Sequence, residues 1–99
     1  MEVEFEDEGL ARLETDPDHN PGYGPEVIKQ FRKRIQLIRS APDERDFYAL
    51  RSLNFEKLKG DREGQYSMRL NKQWRLILKL VKRESDPKLV VIVSIVDYH

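Results

Sequence analysis

Four cations, Lys57, Lys59, Arg62 and Arg69, stand close together around the glycine-flanked turn Gly60-Asp61-Arg62-Glu63-Gly64. Asp97-Tyr98-His99 adds a carboxylate, a phenol and an imidazole. These residue types suit cleavage of a phosphodiester: cations hold the phosphate oxygens and offset the charge that develops on phosphorus, while His or Tyr moves protons. In RNA the neighbouring 2′-hydroxyl is the nucleophile, so the chemistry needs a base for that hydroxyl and an acid for the departing 5′-oxygen. It requires no metal and no cofactor.

Each candidate also has a plainer reading. Phe55, Lys57 and Lys59 are expected on one side of a strand, with Glu56 and Leu58 on the other. The two lysines could hold two phosphate oxygens, or only keep an edge strand from pairing with another sheet. Arg75 lies between Trp74 and Leu76 in a segment expected inside the sheet, on the face opposite the tryptophan. An arginine there has a ligand or a salt bridge, and Asp97 and Glu56 are the candidate partners. Arg62, in a turn, is solvated by default. Asp97-Tyr98-His99 continues a buried strand beyond its apolar run, where polar residues line a cleft or fray.

Several other chemistries are excluded. The chain has no cysteine, hence no disulfide, thiolate nucleophile or cysteine-ligated zinc. His19 and His99 stand far apart without clustered carboxylates, a poor basis for a metal site, and His19 in its Pro/Gly loop is incidental. Neither GxxxxGK[ST] nor GxGxxG occurs.

The elements that must position these residues follow from periodicity. Val3 and Phe5 alternate with glutamates as a short edge strand, and residues 8–14 suit a short helix with Leu10 and Leu13 inside. Residues 16–25 are a loop, with three prolines and two glycines in ten residues. Pro25 opens the longest helix, which runs to Ser40 or Ala41 on an apolar stripe of Ile28, Phe31, Ile35 and Ile38. Pro42 stops it. Residues 43–50 form a helical turn with Phe47, Tyr48 and Leu50 expected inward. From Leu53 the period becomes two: a strand at 55–59, another at 66–70, a tight hairpin at Asn71-Lys72 where Asn tolerates positive φ, and a third strand with Trp74, Leu76, Leu78 and Leu80 on one face. Leu89 to Val96 is nearly all apolar and β-branched, the pattern of a central strand covered on both faces. The sum is one α+β domain over residues 1–99, with N-terminal helices packed on a small antiparallel sheet.

Charge is distributed unevenly although the total is zero. Residues 1–28 carry nine acids and one base, whereas residues 29–83 carry sixteen bases and six acids. A basic middle can present a phosphate-binding face on a neutral molecule. No apolar run approaches the roughly 18 residues of a membrane span, and the acidic start is unlike a signal peptide, so a cytoplasmic protein is expected, with no membrane contact.

Three ordered blocks, Leu58-Lys59-Gly60-Asp61-Arg62-Glu63-Gly64-Gln65-Tyr66-Ser67, Trp74-Arg75-Leu76 and Asp97-Tyr98-His99, resemble the HigB branch of the RelE/ParE toxins. The pattern of that branch runs L-K-G-D-x-x-G-x-[WY]-S, then W-R-I, then D-Y-H. The resemblance implies a RelE-like fold and a type II toxin, a ribosome-dependent messenger-RNA endonuclease held inactive by a helix-turn-helix, HigA-like antitoxin, with a heterotetramer among the possible complexes. By position, Lys59 matches the family's active-site lysine, Arg75 its W-R-I arginine, and Asp97, Tyr98 and His99 its closing triplet. The family's histidine three residues before that lysine is here Glu56, which leaves Glu56, Lys57, Tyr98 or His99 to carry its task. Arg62 and Arg69 join the phosphate-binding set, and Lys29, Arg32, Lys33 and Arg39 of the long helix would face ribosomal RNA or an acidic antitoxin surface. Relatives of ParE type share the fold and inhibit DNA gyrase; that role, or antitoxin binding without catalysis, is the alternative.

Overall fold

A computed structural model describes residues 1–85 and 87–97. In chain order the elements are β1 (Val3–Phe5), α1 (Glu8–Thr15), α2 (Pro25–Ser40), α3 (Arg45–Ala49), β2 (Glu56–Lys57), β3 (Gln65–Arg69), β4 (Trp74–Val81) and β5 (Leu89–Asp97). Local chemistry accounts for their ends. Asp7 caps α1, its carboxylate accepting from the Gly9 amide at 2.7 Å. Pro25 opens α2, because the amide it lacks would have had no partner there.

The strands form one sheet in the order β1-β5-β4-β3-β2. The helices bury one of its faces. Ile28, Phe31, Ile35 and Ile38 of α2 and Leu10 and Leu13 of α1 share a core with Met68, Leu76, Leu78, Val90, Ile92 and Ile95. Alternation along β4 therefore sends Arg75 and Ile77 to the opposite face.

The expected α+β architecture is present, with four local differences. The sheet is mixed rather than antiparallel, because β1 runs parallel to β5 while the other pairs are antiparallel. The chain reaches β5 from β1 only after the helices and three strands, so the two need not oppose. Second, β5 is covered fully on its helical face alone; Val91, Val93 and Val96 are half-buried, since among the described residues no α-helix lies on the other side. Third, α3 has only five residues and turns only Phe47 fully inward, leaving Tyr48 56% and Leu50 42% exposed. Fourth, the β3–β4 turn uses the Asn71 side chain rather than a positive φ: its Oδ1 accepts from the Gln73 and Trp74 amides, both at 2.8 Å.

Strand β2 is two residues long and could not hold its place by backbone pairing alone. Phe55, immediately before it, stacks on Tyr66 with centroids 5.3 Å apart and meets Phe47 and Tyr48 edge-on. Truncating Phe55→Ala should destabilise the protein by about 3 kcal/mol, whereas Tyr48→Ala, at an exposed position, should cost under about 1 kcal/mol. Urea unfolding of the two variants checks this ordering.

Tyr23 packs edge-on against Trp74 at 5.8 Å, and burial, with the Asp7 carboxylate second, raises its pKa above the ordinary 10.0. The folded state keeps this proton longer than the unfolded chain does. Its contribution to stability is therefore complete below about pH 10 and declines as pH rises toward the folded value. In an alkaline absorbance titration, the component missing from Tyr23→Phe should ionise above the range of free tyrosine.

Candidate active site

The face of the sheet that no helix covers carries the candidate chemistry. The register Glu56↔Ser67, Ser67↔Ile77 and Arg75↔Val96 puts Glu56, Ser67, Arg75, Ile77 and Val96 on that face. Arg75 is only 6% exposed and Ser67 is wholly buried. A buried guanidinium must satisfy its donors. The Arg75 Nε donates to Ser67 Oγ at 2.9 Å, and an Nη donates to the backbone carbonyl of Asn54 at 2.6 Å. The same Nη lies 3.7 Å from a Glu56 carboxylate oxygen. Of the two expected partners of Arg75, Glu56 is thus the one this contact joins to it.

Glu56 also belongs to the wall of an open cleft of about 460 Å³, lined by Lys57, Leu58, Lys59, Arg62, Ile77 and Val96. Lys57, Leu58 and Lys59 are shared with an adjoining hollow that continues to Gly60 and Glu63. Gly60, at φ +67°, turns the chain sharply after Lys59, a conformation that a side chain would strain. Arg62 reaches back to Gln65 Oε1 at 3.2 Å. Among the described residues, no carboxylate lies within ion-pair distance of Lys57 or Lys59. The arrangement can hold a phosphate against three exposed cations with a fourth, buried one alongside, and it places a carboxylate among them.

The structure does not gather every expected residue here. Lys57 and Lys59 do not share one side of a strand, because β2 ends at Lys57; Lys57 pairs with Tyr66, on the face away from Glu56. Both still line the cleft at the edge of the sheet. Asp97 pairs with Trp74, which puts it on the face opposite Arg75, and it accepts from the Gln73 side chain at 3.0 Å. Tyr98 and His99 lie outside the described residues. Arg69 is opposite Arg75 in register, but its Nε donates to the Asn71 carbonyl at the end of the sheet.

The basic residues of α2 lie beyond the core, on the other side of the sheet. Lys29, Arg32 and Lys33 line a separate cleft with Pro17, His19 and Ile28. Arg32 donates to the Leu13 and Asp16 carbonyls, and Arg39 holds Glu14 through two 2.8 Å bonds, so both brace α1. Sequence reasoning overlooked Asn54 as well as Ser67. Ser67 was signalled by its position between Tyr66 and Met68, a small polar residue where alternation leads to the Arg75 face. Nothing local marked the carbonyl of Asn54.

The fold is that of small bacterial toxins. It matches the YoeB/ParE toxin from Agrobacterium tumefaciens over the full length of both chains, with a TM-score of 0.59 at 16% identity. The YoeB–YefM complex from Staphylococcus aureus matches over all of this chain and 97% of that one, with a TM-score of 0.60 at 20% identity. YafQ from Escherichia coli strain BL21(DE3) matches over 97% of this chain and 91% of its own, with a TM-score of 0.60 at 13% identity. Within that class, the family model for HigB-like toxins, described as the RelE-like toxin of type II toxin–antitoxin system HigB, matches residues 3–99, and the chain belongs to this family. Toxin HigB-1 of Vibrio cholerae is 28% identical over 81 residues, covering 82% of this chain and 85% of that toxin. Among the described residues no group of three or more His, Asp or Glu could hold a metal ion, and no helix is long and apolar enough to cross a membrane.

Binding of a short single-stranded RNA should separate the two basic surfaces. Lys59→Ala and Arg62→Ala should each weaken binding and lower its log–log salt slope by about 0.7, whereas Lys29→Ala should leave the slope at the cleft unchanged. Glu56→Gln, which removes a negative charge from the phosphate path, should tighten binding. Fluorescence anisotropy across a salt series measures all four.

Proposed function

We propose that this toxin is a metal-independent, ribosome-dependent endoribonuclease that cuts messenger RNA and so halts translation in the cytoplasm. The observation that carries the reading is a buried arginine, Arg75, held beside a cleft rimmed by Lys57, Lys59 and Arg62, on the one sheet face the helices leave open. The 2′-hydroxyl of the target nucleotide forms a bond to phosphorus, and the bond from phosphorus to the 5′-oxygen breaks. A base takes the hydroxyl proton, an acid supplies one to the 5′-oxygen, and a 2′,3′-cyclic phosphate results, which water can open to a 3′-phosphate. Lys59 and Arg75, with Lys57 and Arg62, stabilise the charge on the equatorial oxygens. Glu56, in the cleft wall, is available as the base, and Tyr98 and His99 are the other proton carriers.

The cleft supplies cations, which hold phosphates whatever the base sequence, and this fits a toxin that relies on the ribosome to present its message. A HigA-like helix-turn-helix antitoxin is the proposed partner, consistent with the family and with the complex formed by the related YoeB and YefM. A heterotetramer of two such pairs is the proposed assembly.

Induced expression in bacteria should arrest growth and create new 5′ ends within translated messages. Arg75→Ala should lower cleavage by about 10²–10³-fold, the usual effect of losing one preorganised donor at a developing charge. Arrest without cuts would instead indicate a protein target such as gyrase. Glu56→Gln with undiminished cleavage would remove Glu56 as the base and leave the step to Tyr98 or His99.

A further inference from the structure

We propose that Ser67 and Asn54 are positioning residues, which fix the Arg75 guanidinium for the cleavage step, Ser67 by its hydroxyl and Asn54 by its main-chain carbonyl. The inference rests on the endonuclease reading above and adds to it how the buried arginine is aimed.

An arginine side chain has about 2 kcal/mol of rotamer entropy, which must be lost before its planar fork can meet a charge at a defined place. Here that ordering is already in place. Nε is held at 2.9 Å by Ser67 Oγ and an Nη at 2.6 Å by the Asn54 carbonyl, two acceptors from separate segments of the chain. Both acceptors are neutral. They satisfy donors that burial has taken from water without themselves adding a negative charge beside Arg75. Glu56, the nearby carboxylate, stands farther off at 3.7 Å.

The backbone at Asn54 points the same way. Its φ of 45° and ψ of 50° are left-handed, and it is the only non-glycine residue with positive φ among the described residues. Such a conformation carries about 1–2 kcal/mol of strain in most residues, less in Asn, and persists where surrounding structure demands it. The turn ends the short 3₁₀ segment Arg51–Leu53 and delivers the Asn54 carbonyl to Arg75 just before Phe55 docks in its aromatic cluster. Ser67 is wholly buried, two positions from Arg69 and diagonal to Arg75 across the β3–β4 pair. Its Oγ is therefore an acceptor that water cannot replace.

Single-turnover cleavage of messenger RNA on programmed ribosomes tests this, with binding to the ribosome and urea unfolding measured on the same proteins. Ser67→Ala should lower the cleavage rate by about ten- to a hundredfold while ribosome binding stays within about twofold. On an Arg75→Lys background, which keeps the charge but has no Nε donor for Ser67, the same change should add no further loss. Asn54→Val, which disfavours positive φ, should reduce the rate by a similar factor, and the conservative Asn54→Gly, which keeps the left-handed turn, should recover it. Cleavage by Ser67→Ala at the wild-type rate, or an equal further loss on Arg75→Lys, would overturn the proposal. So would an Asn54→Gly variant as impaired as Asn54→Val. Absence of cleavage by the wild-type protein would overturn the endonuclease reading itself.

Discussion

Burial of Phe31, Ile35 and Ile38 against Met68, Leu76, Leu78 and Ile92 commits one face of the sheet to the helices. Each such side chain contributes about 1.5–3 kcal/mol on leaving water, far more than an exposed ion pair, which is worth about 0–1 kcal/mol. The apolar set therefore decides the register, and the polar set follows. Because side chains alternate with period two, placing Leu76 and Leu78 inward also places Arg75 and Ile77 outward. A slip of one residue would drive Arg75 into the core and expose Leu76. The cation of the candidate site is held in place by the hydrophobic residues on either side of it in sequence.

The open face is electrostatically divided, which reconciles a neutral molecule with a basic cleft. Toward β1, Glu6 pairs with Lys79 and Glu2 with Arg83, both at 2.8 Å, so cations there are matched by the acids that flank the N-terminal strand. Toward β2, Lys57, Lys59 and Arg62 line the cleft, with Glu56 the carboxylate of that wall nearest Arg75. The cations at one side of the sheet are available to an anionic chain and those at the other are already matched, a difference that net charge conceals.

The site depends at its edge on aromatic rather than backbone contacts. Strand β2 has two residues, yet it presents Glu56 and Lys57 and leads directly to Lys59. Phe55, Tyr66, Phe47 and Tyr48 hold its start from the helical side. On the other side Arg75 bonds the Asn54 carbonyl. The same few residues thus join the core to the cleft, so packing and chemistry cannot be varied independently there.

Periodicity in the sequence determined that a helix begins at Pro25, that β4 and β5 lie inside the sheet, and that Arg75 and Trp74 lie on opposite faces. These are properties of neighbours a few residues apart, set by backbone geometry and the water–apolar preference of each side chain. The three blocks that resemble HigB-type toxins were likewise legible, because turn glycines and the residues beside them sit at fixed spacing. Only the tertiary structure decided which distant residues meet. It brought Asn54 and Ser67 to Arg75, separated Lys29, Arg32 and Lys33 from the cleft by the thickness of the core, turned Asp97 toward Trp74, and left Tyr48 exposed. Those outcomes depend on how the sheet's order and the helices' placement superpose segments from eight to more than twenty residues apart, and a local pattern carries no record of that superposition.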